Sequence, residues 1–130
     1  MTPRTRLLTA VAVGGAAGAV LRDLTTRTVS DGAGFPWTTF TINVVGSALL
    51  AGLLALPLAR RSRTWAVGLG PGLLGGFTTF SATSEQARAL LVDGRTGLAL
   101  GYVIGTLAAC LLAVVLVGSA TPALPEKDER

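Results

Sequence analysis

Charged residues are absent from two long stretches of this 130-residue chain. No Asp, Glu, Lys or Arg occurs at positions 35–59, and none occurs at positions 97–124. Each stretch exceeds the roughly 20 residues that a helix needs to cross the hydrocarbon of a bilayer. The same pattern along the whole chain predicts an all-α membrane protein. Its four transmembrane helices are expected at about residues 5–26, 38–59, 65–91 and 98–118.

These spans predict one transmembrane domain at 1–118, followed by a disordered polar tail at 119–130 that holds two Pro and five charges. The first apolar run follows Arg4 and Arg6 and so resembles a secretory signal. Three further spans follow it, which favours a first membrane helix instead.

The composition supports a membrane protein and argues against a nucleic-acid-binding one. Half of the residues are hydrophobic and 14% are charged, whereas soluble domains are about 25% charged. The net charge is +4, but the arginines lie between apolar spans and not on a helix face with interleaved aromatic residues. Cys110 is the only cysteine and the chain has no histidine, so neither an internal disulfide nor a transition-metal site is expected.

The third predicted span differs from the others because its second half, at residues 78–86, is polar. Polar groups at membrane depth have to be buried in protein or line water, since lipid offers them no hydrogen-bond partner. Gly75 and Gly76 come just before this polar half and predict a break in the helix there. Unwound backbone at that depth frees carbonyl oxygens that can bind a cation.

Many of the 17 glycines recur at a spacing of four residues. They form three ladders, at Gly14 and Gly18, at Gly68, Gly72 and Gly76, and at Gly97, Gly101 and Gly105. Small residues one helical turn apart let two helix backbones approach closely in lipid. Four short helices nevertheless enclose little volume for a pore, so we expect a dimer or a larger assembly.

Asn43 stands in the middle of the second span. An interhelical hydrogen bond, worth about 1 kcal/mol, explains it as well as a role in a pore does. Hydroxyl groups add further donors without matching carboxylates, at Thr39, Ser47, Thr79, Ser81 and Ser84. Such donors can replace the hydration shell of a small anion. Arg22 lies near the end of the first span, where it fits both a snorkelling side chain and an anion-attracting vestibule.

Three runs resemble motifs of the CrcB/Fluc fluoride channels, in the same order along the chain. The run GGAAGAVLR at 14–22 resembles the glycine-rich opening of that family. The run FTINVVGS at 40–47 resembles its second-helix motif around a pore Asn. The run GGFTTFS at 75–81 resembles its third-helix signature. The resemblance extends over about residues 14–118.

The resemblance implies a fluoride-specific channel, not an enzyme, built as an antiparallel dimer with two fluoride pathways along the subunit interface. Pore residues are expected at Asn43, Phe80, Thr79, Ser81 and Arg22, with Ser84 and the more loosely aligned Tyr102 as further candidates. The positive edge of the Phe80 ring can approach an anion. The channel would let fluoride leave the bacterial cytoplasm passively through the inner membrane, driven by about 2.3 kcal/mol per charge per 100 mV.

The resemblance also implies a structural sodium ion at the dimer centre, which is held and not transported. By motif position, its ligands here are the backbone carbonyls of Gly75 and Thr78. Carbonyl oxygens suit such a hard cation.

One position departs from the family pattern. The family follows its signature with Thr-Phe, whereas this chain has Ala82 and Thr83, so Thr83 replaces a second pore Phe. A homodimer and a heterodimer with a homologous, complementary subunit therefore both stay open. Two further hypotheses are a structural subunit of a heterodimeric channel and a small proton-coupled exporter. For the exporter, Glu85 is the only candidate carboxylate well inside a span.

The distribution of positive residues predicts the orientation of the chain, because arginines and lysines of short loops stay in the cytoplasm. One side of a four-span chain carries Arg4, Arg6, Arg60, Arg61, Arg63, Lys127 and Arg130. The other side carries Arg22, Arg27, Arg88 and Arg95. The bias favours cytoplasmic termini and is larger than expected for a chain that inserts both ways.

Overall fold

A computed structural model of the chain describes residues 2–29, 31–32, 34–53 and 56–120. All regular secondary structure in these ranges is helical. The elements in order are α1 (Pro3–Thr28), α2 (Trp37–Leu53), α3 (Pro57–Arg61), α4 (Arg63–Val67), a π-helical segment (Gly68–Leu74), α5 (Gly75–Phe77), α6 (Phe80–Val92) and α7 (Thr96–Ala120). We call residues 63–77, from α4 to α5, the arm. The all-α class predicted from the sequence is confirmed.

Within the described ranges, two helices are long and apolar enough to cross a membrane, α1 with 26 residues and α7 with 25. Helix α2 is apolar but has 17 residues, and it ends at Leu53, six positions before the predicted end of the second span. Pro57 starts the separate helix α3, because the residue before a proline is driven out of the helical conformation. The count of four spans stays a prediction, and residues 121–130 of the predicted tail lie outside the described residues.

The surface of the described chain is largely apolar and part of its interior is polar. Only 6% of the most apolar part of α1 and 11% of that of α7 are buried, so neither is the core helix of a soluble domain. Conversely, five polar side chains are buried: Thr38, Thr39, Asn43, Thr83 and Thr106. A lipid solvent favours this arrangement, in which apolar side chains face outward and hydrogen-bonded polar side chains face inward.

Helix α1 packs directly against the arm through two of the predicted glycine ladders. A Cβ atom at Gly18 would overlap the Leu73 carbonyl oxygen and lie 2.8 Å from Phe77 N. A Cβ at Gly76 would overlap the Gly15 backbone. The two backbones are therefore in contact, as small residues permit. The third ladder behaves differently, since a Cβ at Gly97, Gly101 or Gly105 would meet nothing within 4 Å.

The π-helical segment of the arm contains Pro71, and this segment is not among the elements predicted from the sequence. Its wider turns bring Gly75 N–H onto the Gly70 carbonyl, five residues earlier. Proline lacks an N–H and its ring crowds the preceding turn of an α-helix. A local π-helical turn accommodates both effects, so the arm continues past Pro71 without unwinding.

A second group consists of α2, α6 and α7, with α7 packed against both other helices. The fully buried Tyr102 of α7 meets Phe35 edge to face at 5.2 Å. Asp31 fixes the start of α2, because its carboxylate accepts from the Thr38 N–H at 2.9 Å and from the Thr38 hydroxyl at 2.8 Å. Gly94, with φ +74°, turns the chain from α6 into α7.

The contact between α1 and the arm predicts a large effect of one methyl group. Gly18→Ala should lower the free energy of unfolding by about 2 kcal/mol or more, since the methyl group would overlap backbone atoms that cannot move alone. Gly118→Ala is the matched control, because a Cβ there meets open space and alanine favours a helix. Detergent-induced unfolding of the purified variants measures both. Equal stability of Gly18→Ala and the unmodified chain would contradict this packing.

Candidate functional site

The third predicted span is interrupted at Thr78 and Thr79. Thr78 has ψ 157°, and Thr79 is extended at φ −151° and ψ 121°. The Thr79 hydroxyl then accepts from the Ala82 N–H at 3.2 Å and so begins α6. The break was expected at Gly75 and Gly76, but both are helical, because Gly76 packs against the α1 backbone within α5. The prediction was right about a break and wrong about its position.

The Asn43 side chain holds this break from the neighbouring helix α2. Its Oδ1 accepts from the Thr79 N–H at 2.8 Å, and its Nδ2 donates to the Thr79 carbonyl at 3.0 Å. Nδ2 also lies 3.0 Å from the Thr83 hydroxyl oxygen. In a continuous helix the Thr79 N–H would bond the Gly75 carbonyl. Asn43 therefore replaces a helical hydrogen bond and leaves the Gly75 oxygen open to another partner.

Arg22 holds the break from the side of α1. Its Nη1 donates to the Gly76 carbonyl at 2.8 Å and to the Thr78 carbonyl at 3.3 Å. These are carbonyls at the end of a helix, where a positive charge is favourable. The guanidinium thus contacts the main chain of the break, and its role in an anion vestibule stays a prediction.

Phe80 and Ser81 lie on the outer surface beside the break. The Phe80 side chain is 82% exposed, more than any other large hydrophobic residue in the described ranges. The Ser81 and Thr79 hydroxyl oxygens are 3.3 Å apart. A ring and two hydroxyls thus lie next to a helix break on a face that the single chain leaves uncovered.

Tyr102 lies deeper, with its side chain fully buried. Its hydroxyl donates to Gln86 Oε1 at 2.7 Å, and Gln86 Nε2 donates to the Thr39 hydroxyl at 2.9 Å. This network ties α7, α6 and α2 together. The sequence analysis assigned no role to Gln86, although its place in the polar half of the third span marked it as a side chain that needs a partner.

Five of the predicted residues line one cavity of about 420 Å³. They are Asn43, Gly75, Thr78, Thr79 and Phe80. Ser47, one of the candidate hydroxyl donors, lines the cavity as well, together with Thr83, Thr106 and Cys110. Ser81 adjoins the cavity through Thr79, whereas Arg22 and Tyr102 lie outside its lining. The structure therefore brings most of the predicted pore and metal residues together. Arg22 contacts this group through the Thr78 carbonyl, and Tyr102 lies outside the cavity lining.

The carbonyls expected to hold sodium have the right chemistry for a hard cation. The Gly75 carbonyl is released from its helical partner, as described above, and the Thr78 carbonyl has the longer of the two Arg22 contacts. In the part of the chain that the structure describes, no three His, Cys, Asp or Glu residues come together as an alternative metal site.

Comparison with known proteins identifies the family. The profile of the CrcB-like protein family, Camphor Resistance (CrcB), matches residues 9–118. The chain belongs to this CrcB-like family. The resemblance found in the three sequence motifs is thereby confirmed.

Curated relatives carry the name "Fluoride-specific ion channel FluC". The relative from Novosphingobium aromaticivorans is 50% identical over 105 residues, which cover 76% of this chain and 82% of that protein. The relative from Opitutus terrae is 43% identical, over 82% of this chain and 85% of that one. FluC 1 of Mycolicibacterium paratuberculosis is 42% identical, over 85% and 86%. The family is one of ion channels, so the prediction that the chain is not an enzyme is confirmed.

Proposed function

We propose that the chain is a subunit of a fluoride-specific channel that passively exports cytoplasmic fluoride across the bacterial inner membrane. The names of the relatives support fluoride as the transported ion and a channel as the kind of transporter. The structural observation that carries the proposal is the exposed Phe80 ring beside the Thr79 and Ser81 hydroxyls at the helix break. A ring edge and hydroxyl donors are groups that can stabilise a dehydrated anion.

An antiparallel dimer of four-span subunits would complete this site. A single chain leaves Phe80 exposed and the ladder at Gly97, Gly101 and Gly105 open. A second subunit against this face would cover the apolar ring and turn the lining at Asn43 into a closed path. If lipid alone covered this face, the Ser81 hydroxyl would have no hydrogen-bond partner outside its own chain.

A structural sodium ion at the centre of this dimer is the second part of the proposal. Gly75 and Thr78 of each subunit would hold it by their carbonyls. Its positive charge would favour an anion in the neighbouring pathways, and the ion would stay in place during transport.

The exporter hypothesis depends on Glu85, and the geometry does not favour it. The Glu85 carboxylate binds Arg88 through two hydrogen bonds, of 2.6 and 3.0 Å, and both side chains are about 65% exposed. A coupling carboxylate has to bind and release protons in a protected site. Glu85 is placed as a helix-surface partner of Arg88 instead.

We further propose a heterodimer with a homologous subunit of opposite orientation, with the homodimer as its alternative. Thr83 stands where a second pore Phe is expected, and it is buried against Asn43. Arg22 binds the break and so does not act as a loop charge, which leaves fewer positive residues on the side opposite the termini. Both observations favour a partner subunit that supplies the second pore Phe and has the opposite charge bias.

The channel function predicts fluoride flux that depends on Phe80. Liposomes that contain the purified protein, alone or with a homologous partner, should release fluoride and retain chloride in an ion-selective electrode assay. Phe80→Ile should lower the fluoride flux roughly tenfold or more, since it removes the ring edge that faces the anion. Leu8→Ile, on the exposed face of α1, should leave the flux unchanged. Absence of fluoride flux in every preparation would refute the function.

The sodium proposal predicts that sodium stabilises the dimer. A ligand at a hundred times its Kd stabilises by about 2.7 kcal/mol. Replacement of sodium by N-methyl-D-glucamine at constant ionic strength should therefore lower the thermal stability of the dimer, and returning sodium should restore it. Sodium should not accompany fluoride in the flux assay. An unchanged stability without sodium would rule out a structural ion.

The heterodimer proposal predicts a single orientation of the chain. In cells that express only this chain with Cys110→Ser and Arg130→Cys, a membrane-impermeant maleimide should label the protein only after permeabilisation. The physical reason is the excess of arginines on the side of the termini. Equal labelling of the tail from both faces of the membrane would show dual insertion and remove the topological support for a partner.

A further inference from the structure

The orientation of the Asn43 carboxamide is fixed by the main chain of Thr79. An N–H group can only donate, so the atom that accepts from Thr79 N–H at 2.8 Å has to be Oδ1. The other end, Nδ2, then faces the Thr79 carbonyl at 3.0 Å. One edge of the carboxamide thus pairs with both polar groups of one residue.

Thr83 lies on the same side of Nδ2 as the Thr79 carbonyl. Its hydroxyl oxygen is 3.0 Å from Nδ2 and donates to the Thr79 carbonyl at 3.1 Å. Three nearly equal distances make an angle of about 60° between the two acceptors at Nδ2, whereas the two N–H bonds of a carboxamide diverge by about 120°. Two arrangements fit these angles: each acceptor takes its own N–H at about 30° from linearity, or both share one N–H in a three-centre bond that leaves the second N–H free.

Asn43 and Thr83 both line the cavity of about 420 Å³, next to Phe80. Thr83 is 4% exposed, and its hydroxyl proton is used by the Thr79 carbonyl. Thr83 consequently has no proton to donate to an ion in the cavity, whereas Asn43 keeps one in the three-centre arrangement.

We propose that Thr83 is a positioning residue for Asn43. Its hydroxyl holds the carboxamide so that one N–H fixes the helix break and the other is presented to the cavity as a donor to the permeating anion. The identity of that anion as fluoride rests on the proposed function. A hydroxyl at this position thus orients a pore donor, which is a different task from that of an aromatic ring that contacts the ion.

Asn43 is the only asparagine of the chain, so 15N-asparagine labelling gives a single side-chain NH2 group in an NMR spectrum. In lipid nanodiscs its two protons should exchange with water at rates that differ roughly tenfold or more, the factor expected for one hydrogen bond. Only the faster proton should shift on titration with sodium fluoride. Sodium chloride should shift neither.

Three variants separate positioning from general stability. Thr83→Val keeps the shape of the side chain but removes the hydroxyl. It should reduce both the difference in exchange rate between the two Asn43 protons and their fluoride-induced shift. It should also lower the fluoride flux roughly fivefold. Thr83→Ser should restore all three. Thr106→Val is the matched control, since Thr106 is a buried threonine of the same cavity that bonds its own helix at Tyr102. It should leave the Asn43 signals unchanged.

Equal exchange rates of the two Asn43 protons in the unmodified chain would overturn the proposal. So would a fluoride shift of neither proton, or unchanged Asn43 signals in Thr83→Val. If a variant does not fold, the exchange rates of the two Asn43 protons in the unmodified chain still test the proposal. Absence of fluoride flux with a normal fluoride shift of Asn43 would count against the channel function and leave the positioning role in place.

Discussion

Every main-chain polar group that leaves a helix at membrane depth has to find a partner within the protein, because hydrocarbon offers none. The third predicted span leaves its helix at Thr78 and Thr79, and two side chains from different helices satisfy the groups that are released. Asn43 takes the N–H and the carbonyl of Thr79, while Arg22 takes the carbonyls of Gly76 and Thr78. The rest of the structure can be understood as the support that brings these two side chains to the break.

Close backbone packing provides that support on one side. Arg22 reaches the Gly76 carbonyl only because α1 lies directly against the arm, and Gly18 and Gly76 leave no room for a Cβ atom between them. On the other side, the Tyr102, Gln86 and Thr39 network joins α7, α6 and α2, which fixes the helix that carries Asn43. No buried side-chain nitrogen or oxygen in the described ranges lacks a hydrogen-bond partner. The side chains that hold the break are thus hydrogen-bonded themselves.

The same arrangement leaves one face of the chain incomplete. Phe80 is exposed and Asn43 faces a cavity that the chain does not close. A channel subunit that shares its pathway with a second subunit needs such a face, since the groups that bind the ion have to meet across the contact. The exposed ring and the open cavity therefore support the proposed dimer.

The sequence by itself determined the helical class, the apolar outer surface and the family, and it identified most residues of the candidate site. Those properties depend on local patterns, namely the length of uncharged runs and three short motifs around Arg22, Asn43 and Phe80. The tertiary structure decided where the helix breaks. Gly75 and Gly76 have the local freedom to unwind, but the contact of Gly76 with α1 keeps them helical, and Asn43 captures the Thr79 N–H instead. The roles of Gln86 and Thr83 likewise depend on partners 47 and 40 positions away in the sequence, a separation across which no local pattern specifies a contact.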